Sequence, residues 1–164
     1  MSPNTETLAA SHDAPPATPA FVDAVDTRYL QTLLGYNARR AALTVIDEFV
    51  PRMAQFGLRV VDFSILSLIY HNPGITSRQL CAALALLPPN LVGKIGALES
   101  RGLLARQPHP QDGRALGLHL TAEGQALMAR AEAEAVALEN DAAPGLTPAE
   151  RRTLIRLLQK VYRP

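Results

Sequence analysis

The chain has a single cysteine, Cys81, and no tryptophan. One cysteine excludes an intramolecular disulfide, so burial and hydrogen bonding must hold the fold together. Aromatic residues make up 5% of the 164 positions, and β-branched residues are sparse beside alanine and leucine. That balance disfavours an all-β fold and favours a mainly helical one. No apolar run reaches the ~18 residues that suggest a membrane span. The N-terminus lacks the charged start and apolar stretch of a secretory signal. The expectation is a soluble, cytoplasmic protein with no membrane partner. Chemistry-bearing patterns are missing as well. His12, His71, His109 and His119 show no metal-ligand spacing with Asp, Glu or Cys, and there is neither a glycine-rich phosphate loop nor a nucleophile elbow. No catalytic residue, metal or cofactor is expected, and the chain does not read as an enzyme.

What is present suffices for one folded domain, since 48% of the residues are apolar, enough to bury a core at this length. The net charge of +1 rules out a general polycation, so any affinity for nucleic acid must come from a local basic surface. Such a surface exists in the middle of the chain. Residues 76–120 carry Arg78, Lys94, Arg101, Arg106 and Arg114 against only Glu99 and Asp112. The segment before it is net negative and the segment after it is balanced.

Organisation follows from periodicity. Residues 1–20, with Pro3, Pro15, Pro16 and Pro19 and little apolar pattern, are expected to be a disordered tail. From about Asp26 to Phe49, Leu30, Leu33, Leu34, Ala38, Ala41, Val45 and Ile46 recur at helical spacing, with Asp26 or Thr27 as cap and Pro51 as a stop or kink. A second helix is predicted over 60–71, ended by Asn72-Pro73-Gly74. Thr76 then caps a short helix to about Ala85. Pro88 and Pro89 open another that runs to Arg101 with Leu91, Ile95 and Leu98 on one face and Gly102 as its stop. A strand candidate at 103–106, a turn-rich tip at 108–113 and the alternation Leu116, Leu118, Leu120 read as a β-hairpin. Thr121 caps a long helix to about Asn140. Thr147-Pro148-Ala149-Glu150 is a capping box that starts a last helix with Leu154, Leu157, Leu158 and Val161 inward.

The middle of this order, helix, tight turn, helix and two-stranded hairpin, is a winged helix-turn-helix. The fold class is therefore mainly α with a small β-hairpin. Residues 60–120 form a DNA-binding lobe, flanked by helical segments at 26–56 and 121–163. The second helix of such a lobe enters a major groove, while the hairpin reaches the neighbouring minor groove. Candidate DNA contacts are Thr76, Ser77 and Arg78 at the start of the bracing helix, where hydroxyls and helix amides suit a phosphate. Asn90 and Lys94 lie on the recognition helix, and Arg106, His109, Asp112 and Arg114 on the wing. Arg114 carries the most weight, because a long planar cation suits the narrow, electronegative minor groove and Asp112 can hold it in place. Gly93, Gly96 and Ala97 offer no polar head along the recognition helix. Arg101, at its end, reads as a partner for the helix dipole.

Residues 57–124 resemble the MarR family of regulators. The carrying pieces are Gly57-Leu58, Leu98-Glu99-Ser100-Arg101-Gly102-Leu103, Asp112-Gly113-Arg114 and Leu118-His119-Leu120-Thr121-Ala122-Glu123-Gly124, in that order and spacing. Gly93 departs from the pattern, since many relatives carry a basic or polar side chain there. The resemblance implies a homodimer whose first and last helices interlock, so that 26–56 and 121–163 supply the dimerisation helices, on a pseudo-palindromic double-stranded operator, with repression relieved by a small ligand, often an aromatic acid. Such ligands bind between the dimerisation helices and the lobe. Tyr36, Asn37, Arg39, Arg40, Tyr70 and His71 are the candidate groups, an Arg or His for a carboxylate and a Tyr for a ring hydroxyl. A benzoate-like or hydroxynicotinate-like effector fits them. Two other readings stand beside this one. One is a helical protein-interaction module without DNA binding, which would prefer an apolar hairpin tip. The other is a thiol-based redox regulator using Cys81, against which stands its place beside Leu80 on the bracing helix.

Overall fold

The computed structural model describes residues 24–109 and 112–163. The side chains of residues 109, 112–115 and 140 lie outside that description, as does the tail expected at 1–20. Seven helices and three strands follow one another as α1 (Arg28–Gln31), α2 (Leu34–Ala54), α3 (Val60–His71), β1 (Ile75–Thr76), α4 (Ser77–Leu84), α5 (Pro88–Ser100), β2 (Leu104–His109), β3 (Asp112–Leu120), α6 (Ala122–Asp141) and α7 (Pro148–Tyr162). Among these residues no single helix is long and apolar enough to cross a membrane.

The first predicted helix is two. Thr32 turns its hydroxyl back onto the Tyr29 carbonyl at 2.7 Å, and the Asn37 amide donates to the carbonyls of Gln31 and Leu33, both at 2.8 Å. Such side-chain bonds compete with the helical ladder and separate α1 from α2. Asp26 caps the start by accepting the Arg28 amide at 2.9 Å. At the other end α2 continues past Pro51 to Ala54. The extra turn places Met53, fully buried, in the core, and that burial outweighs the donor a proline removes.

The lobe is built as the pattern predicts, with one added strand. Thr76 and Gln79 form a capping box: the Gln79 amide donates to Thr76 Oγ1 at 3.3 Å and the Thr76 amide to Gln79 Oε1 at 2.9 Å. Leu80 on α4 and Leu91, Ile95 and Leu98 on α5 bury completely beside Ile65, Leu66 and Ile69 of α3. The turn between α4 and α5 is so tight that Ala85 takes a left-handed conformation, φ +50°. Gly102, at φ +72°, ends α5. β2 and β3 pair antiparallel from Leu104↔Leu120 to Pro108↔Leu116, with a register shift between Pro108 and His109. β1 adds to the far side of β3 through Ile75↔Leu118 and Thr76↔Gly117, giving the order β1-β3-β2. Gly117 permits this close approach, since a Cβ there would stand 2.9 Å from the Gly74 carbonyl oxygen.

α6 packs against α2, α3 and β3. Met128 and Ala131 are fully buried in the shared core. Arg52 of α2 reaches Glu134 at 3.5 Å and also pairs with Asp141. α7 begins with the expected box, in which Thr147 and Glu150 exchange hydrogen bonds. Those bonds hold the Glu150 carboxyl below the usual glutamate range. The cap's contribution is therefore complete above that range and is lost as pH falls through the lowered value. The inward placement of Leu154, Leu157, Leu158 and Val161 needs correction. Within one chain they are 40%, 48%, 36% and 63% exposed. Helical periodicity specifies a face but not what covers it, and among the described residues this face of α7 stays open. The start of the stem is similarly open at Leu30, Leu33 and Leu34.

Candidate nucleic-acid interface

The outward face of α5 presents Asn90, Val92, Gly93 and Ala97, all exposed. Leu87, just before the helix, is 69% exposed and Val92 is 61%. A Cβ added at Gly93 or Gly96 would meet nothing within 4 Å, so internal packing does not require either glycine. A helix face of this kind fits base edges by close approach and by apolar contact with thymine methyls, with Asn90 able to pair with adenine.

The basic excess of residues 76–120 is largely engaged within the chain. Lys94 Nζ lies 3.4 Å from Asp62 Oδ1 at the start of α3. Arg106 Nε donates to Glu99 Oε2 at 3.2 Å and so joins the wing to α5. Arg101 donates to two backbone carbonyls at the end of α2, Gly57 at 2.8 Å and Phe56 at 3.1 Å. These ties account for three of the five cations. Arg78 is exposed on the first turn of α4 and makes no ion pair with a described residue. Ser77 is half-buried beside it, whereas the Thr76 hydroxyl is occupied by its cap. His109, Asp112 and Arg114 belong to the wing strands, but their side chains lie outside the described residues.

Sequence reasoning missed the internal ties because each depends on tertiary proximity. Asp62 is the third helical residue of α3 and accepts the Arg59 amide at 3.3 Å; nothing in the local pattern links it to Lys94. Arg101 was expected to serve its own helix end, and instead it serves the end of another.

The groups considered for an effector fall into two sets, and no hydrogen bond or ion pair links them among the described residues. On α2, Arg39 and Arg40 are exposed without an ionic partner and Tyr36 is half-buried. The Asn37 amide is taken by the α1–α2 junction. At the end of α3, the Tyr70 and His71 rings meet edge to face at 5.1 Å. His71 Nε2 lies 3.0 and 3.1 Å from the Glu132 carboxylate oxygens, and Ser67 Oγ donates to the same carboxylate at 2.6 Å. An open groove lined by Phe63, Glu132, Ala135, Val136 and Glu139 lies alongside. Cys81 is half-buried against the core.

The family model described as "MarR family" matches residues 56–115. A putative transcriptional regulatory protein for the hcr operon of Thauera aromatica is 31% identical over 131 residues, 79% of either chain. The HTH-type transcriptional repressor Rv2887 of Mycobacterium tuberculosis is 30% identical over 78% of this chain and 92% of its own, and a MarR family protein Rv2887 has been solved with salicylic acid at TM-score 0.65. The transcriptional repressor CouR, solved on a 23-mer DNA duplex, superposes with TM-score 0.79 at 34% identity, covering 85% of this chain and 99% of that one. The same repressor has been solved with p-coumaroyl-CoA, at TM-score 0.76 and 33% identity.

Proposed function

This chain belongs to the MarR family, and from that premise we propose that it is a homodimeric repressor that binds a pseudo-palindromic operator and leaves it when an aromatic acyl compound binds. It is a DNA-binding transcriptional regulator and not an enzyme. The observation that carries the operator reading is the joint exposure of the α5 face and the Arg78-bearing start of α4 on one rigid lobe, flanked by the β2–β3 wing. Residues 60–120 form that lobe. Residues 26–56 and 121–163 form the stem, whose apolar faces on α1, the start of α2 and α7 are open in one chain and would be covered by a second copy. Two copies related by a two-fold axis set their recognition helices about 34 Å apart, one turn of DNA.

The effector reading rests on chemistry and on relatives. Salicylic acid and p-coumaroyl-CoA both present an aromatic ring attached to a carboxyl or its thioester. In this chain the exposed pair Arg39 and Arg40 suits a carboxylate or the phosphates of a thioester carrier. Tyr36 and Tyr70 suit a phenolic hydroxyl. His71 holds Glu132 through Nε2 and keeps Nδ1 for a ligand. A ligand preferring one stem–lobe arrangement shifts the population toward it, and operator binding must weaken ligand binding by the same factor.

The test begins with selection of bound DNA from a random-sequence pool, followed by titration of the selected complex with salicylate and with p-coumaroyl-CoA. The expected outcome is a two-fold symmetric site, released by at least one of the two, with Arg40→Ala weakening that release about tenfold. Release by the thioester alone would assign the arginines to its phosphates. A selected site without symmetry would remove the dimeric reading, and release by neither compound would remove the effector class.

A further inference from the structure

We propose that Arg101 is a positioning residue for operator recognition, a strut that fixes the recognition helix to the end of the dimer stem. The inference rests on the operator reading above. α2 ends in the turn Gln55-Phe56-Gly57, with Gly57 at φ +61°. A helix end leaves carbonyls without intrahelical donors and carries partial negative charge. Arg101, the C-terminal cap residue of α5, places its guanidinium there and donates from Nη1 to the Gly57 carbonyl and from Nη2 to the Phe56 carbonyl. A two-pronged, charge-assisted contact fixes direction as well as distance. Gly57 makes room for it: a Cβ at that position would stand 3.2 Å from Arg101 Nη2. The turn has a second cationic contact, the Arg130 guanidinium of α6 lying 5.7 Å from the Phe56 ring centroid.

The geometry therefore gives α5 three separate anchors. Lys94 holds its middle to α3, Glu99 holds it to the wing through Arg106, and Arg101 holds its C-terminal end to α2. Of these three ties only the last reaches α2, the stem helix that runs into the turn at Phe56 and Gly57, while Thr121 joins the exit of α5 to α6 through Gly102. A shift of the α2 end is delivered through Arg101 to α5. Without the strut, α5 keeps its fold and its other two anchors but samples more orientations, and only a fraction of dimers match the operator spacing. Apparent operator affinity falls by that fraction.

The test compares wild type with Arg101→Gln and Arg101→Lys on the selected operator and on mixed-sequence DNA, across a salt series at a temperature where thermal unfolding shows each protein fully folded. Lysine keeps a charge near the helix end but lacks the forked donors. The expected result for Arg101→Gln is a tenfold or larger loss on the operator, little change on mixed-sequence DNA and an unchanged salt slope, with Arg101→Lys intermediate. A loss on both DNAs, with the slope reduced by about one per lost phosphate contact, would make Arg101 a phosphate ligand and overturn the proposal. Unchanged operator affinity in both variants would overturn it as well. Failure of wild type to distinguish the operator from mixed sequence would instead remove the operator reading on which the strut depends.

Discussion

Gly124→Ala is expected to destabilise the protein by about 3 kcal/mol, a large part of the ~5–15 kcal/mol that a domain of this size holds. Gly124 sits in the first turn of α6, where a Cβ would overlap the Leu103 carbonyl oxygen. That carbonyl is backbone and has little freedom, because it accepts the Thr121 amide at 3.1 Å. Thr121 in turn caps α6 by accepting the Gly124 amide at 3.1 Å and donates its hydroxyl to Gly102 at 2.6 Å. Relieving the overlap therefore pulls apart the exit of α5, the start of β2 and the start of α6 together. The melting temperature should fall by roughly 8–12 °C. Gly93→Ala is the internal control. Its Cβ enters open space, and replacing a mid-helix glycine by alanine stabilises by about 0.5–1 kcal/mol. A Gly124→Ala protein as stable as Gly93→Ala would contradict the account of this junction.

Leu157→Asp is expected to dissolve the dimer while leaving the protomer folded. Leu157 is 48% exposed in one chain, on a face of α7 left open among the described residues, so the substitution removes little intrachain core. Covered by a second copy, the same position would hold two carboxylates in an apolar interface. Losing two leucine contacts and desolvating two charges adds several kcal/mol, and a thousandfold weaker dimer is the conservative expectation. Operator affinity should collapse with it, because a single lobe loses the 10²–10⁴ advantage of binding two half-sites at once. Sedimentation velocity should show monomers at micromolar concentration with undiminished helical circular dichroism. A variant that remains dimeric and binds the selected operator as wild type does would place the interface elsewhere.

Much of the fold was legible because its signals are local. The alternation Leu116, Leu118, Leu120 specified a strand, Pro88 and Pro89 opened α5, and Thr147 with Glu150 started α7. Three features escaped. β1 is two residues long and exists only because β3 pairs with it. The α1–α2 break depends on the Asn37 amide reaching back to two carbonyls. Pro51 stays inside a helix because Met53, beyond it, buries in the core. The same division holds for the site. The place of the recognition helix and wing could be read from order and spacing. The engagement of Lys94 and Arg106 could not, because Asp62 and Glu99 meet them only after folding, and the reach of Arg101 to α2 is a contact across 44 residues. A count of basic residues therefore overstates the cations available to phosphate.

The proposed DNA-binding stretch from Thr76 to Thr121 is tested most directly by the salt dependence of operator affinity in wild type and in Arg114→Ala. With Lys94, Arg101 and Arg106 held inside each protomer, Arg78 is the cation of this stretch that makes no ion pair with a described residue, and Arg114 on the wing is the proposed groove contact. Two phosphate contacts in each lobe give the dimer a slope of about −3.6, against about −9 if all five cations of each lobe bound phosphate. The account predicts that shallow slope for wild type. It also predicts at least a tenfold loss of affinity in Arg114→Ala, with the slope reduced by up to about two for the pair of wings. Affinity unchanged by Arg114→Ala at every salt concentration would contradict it.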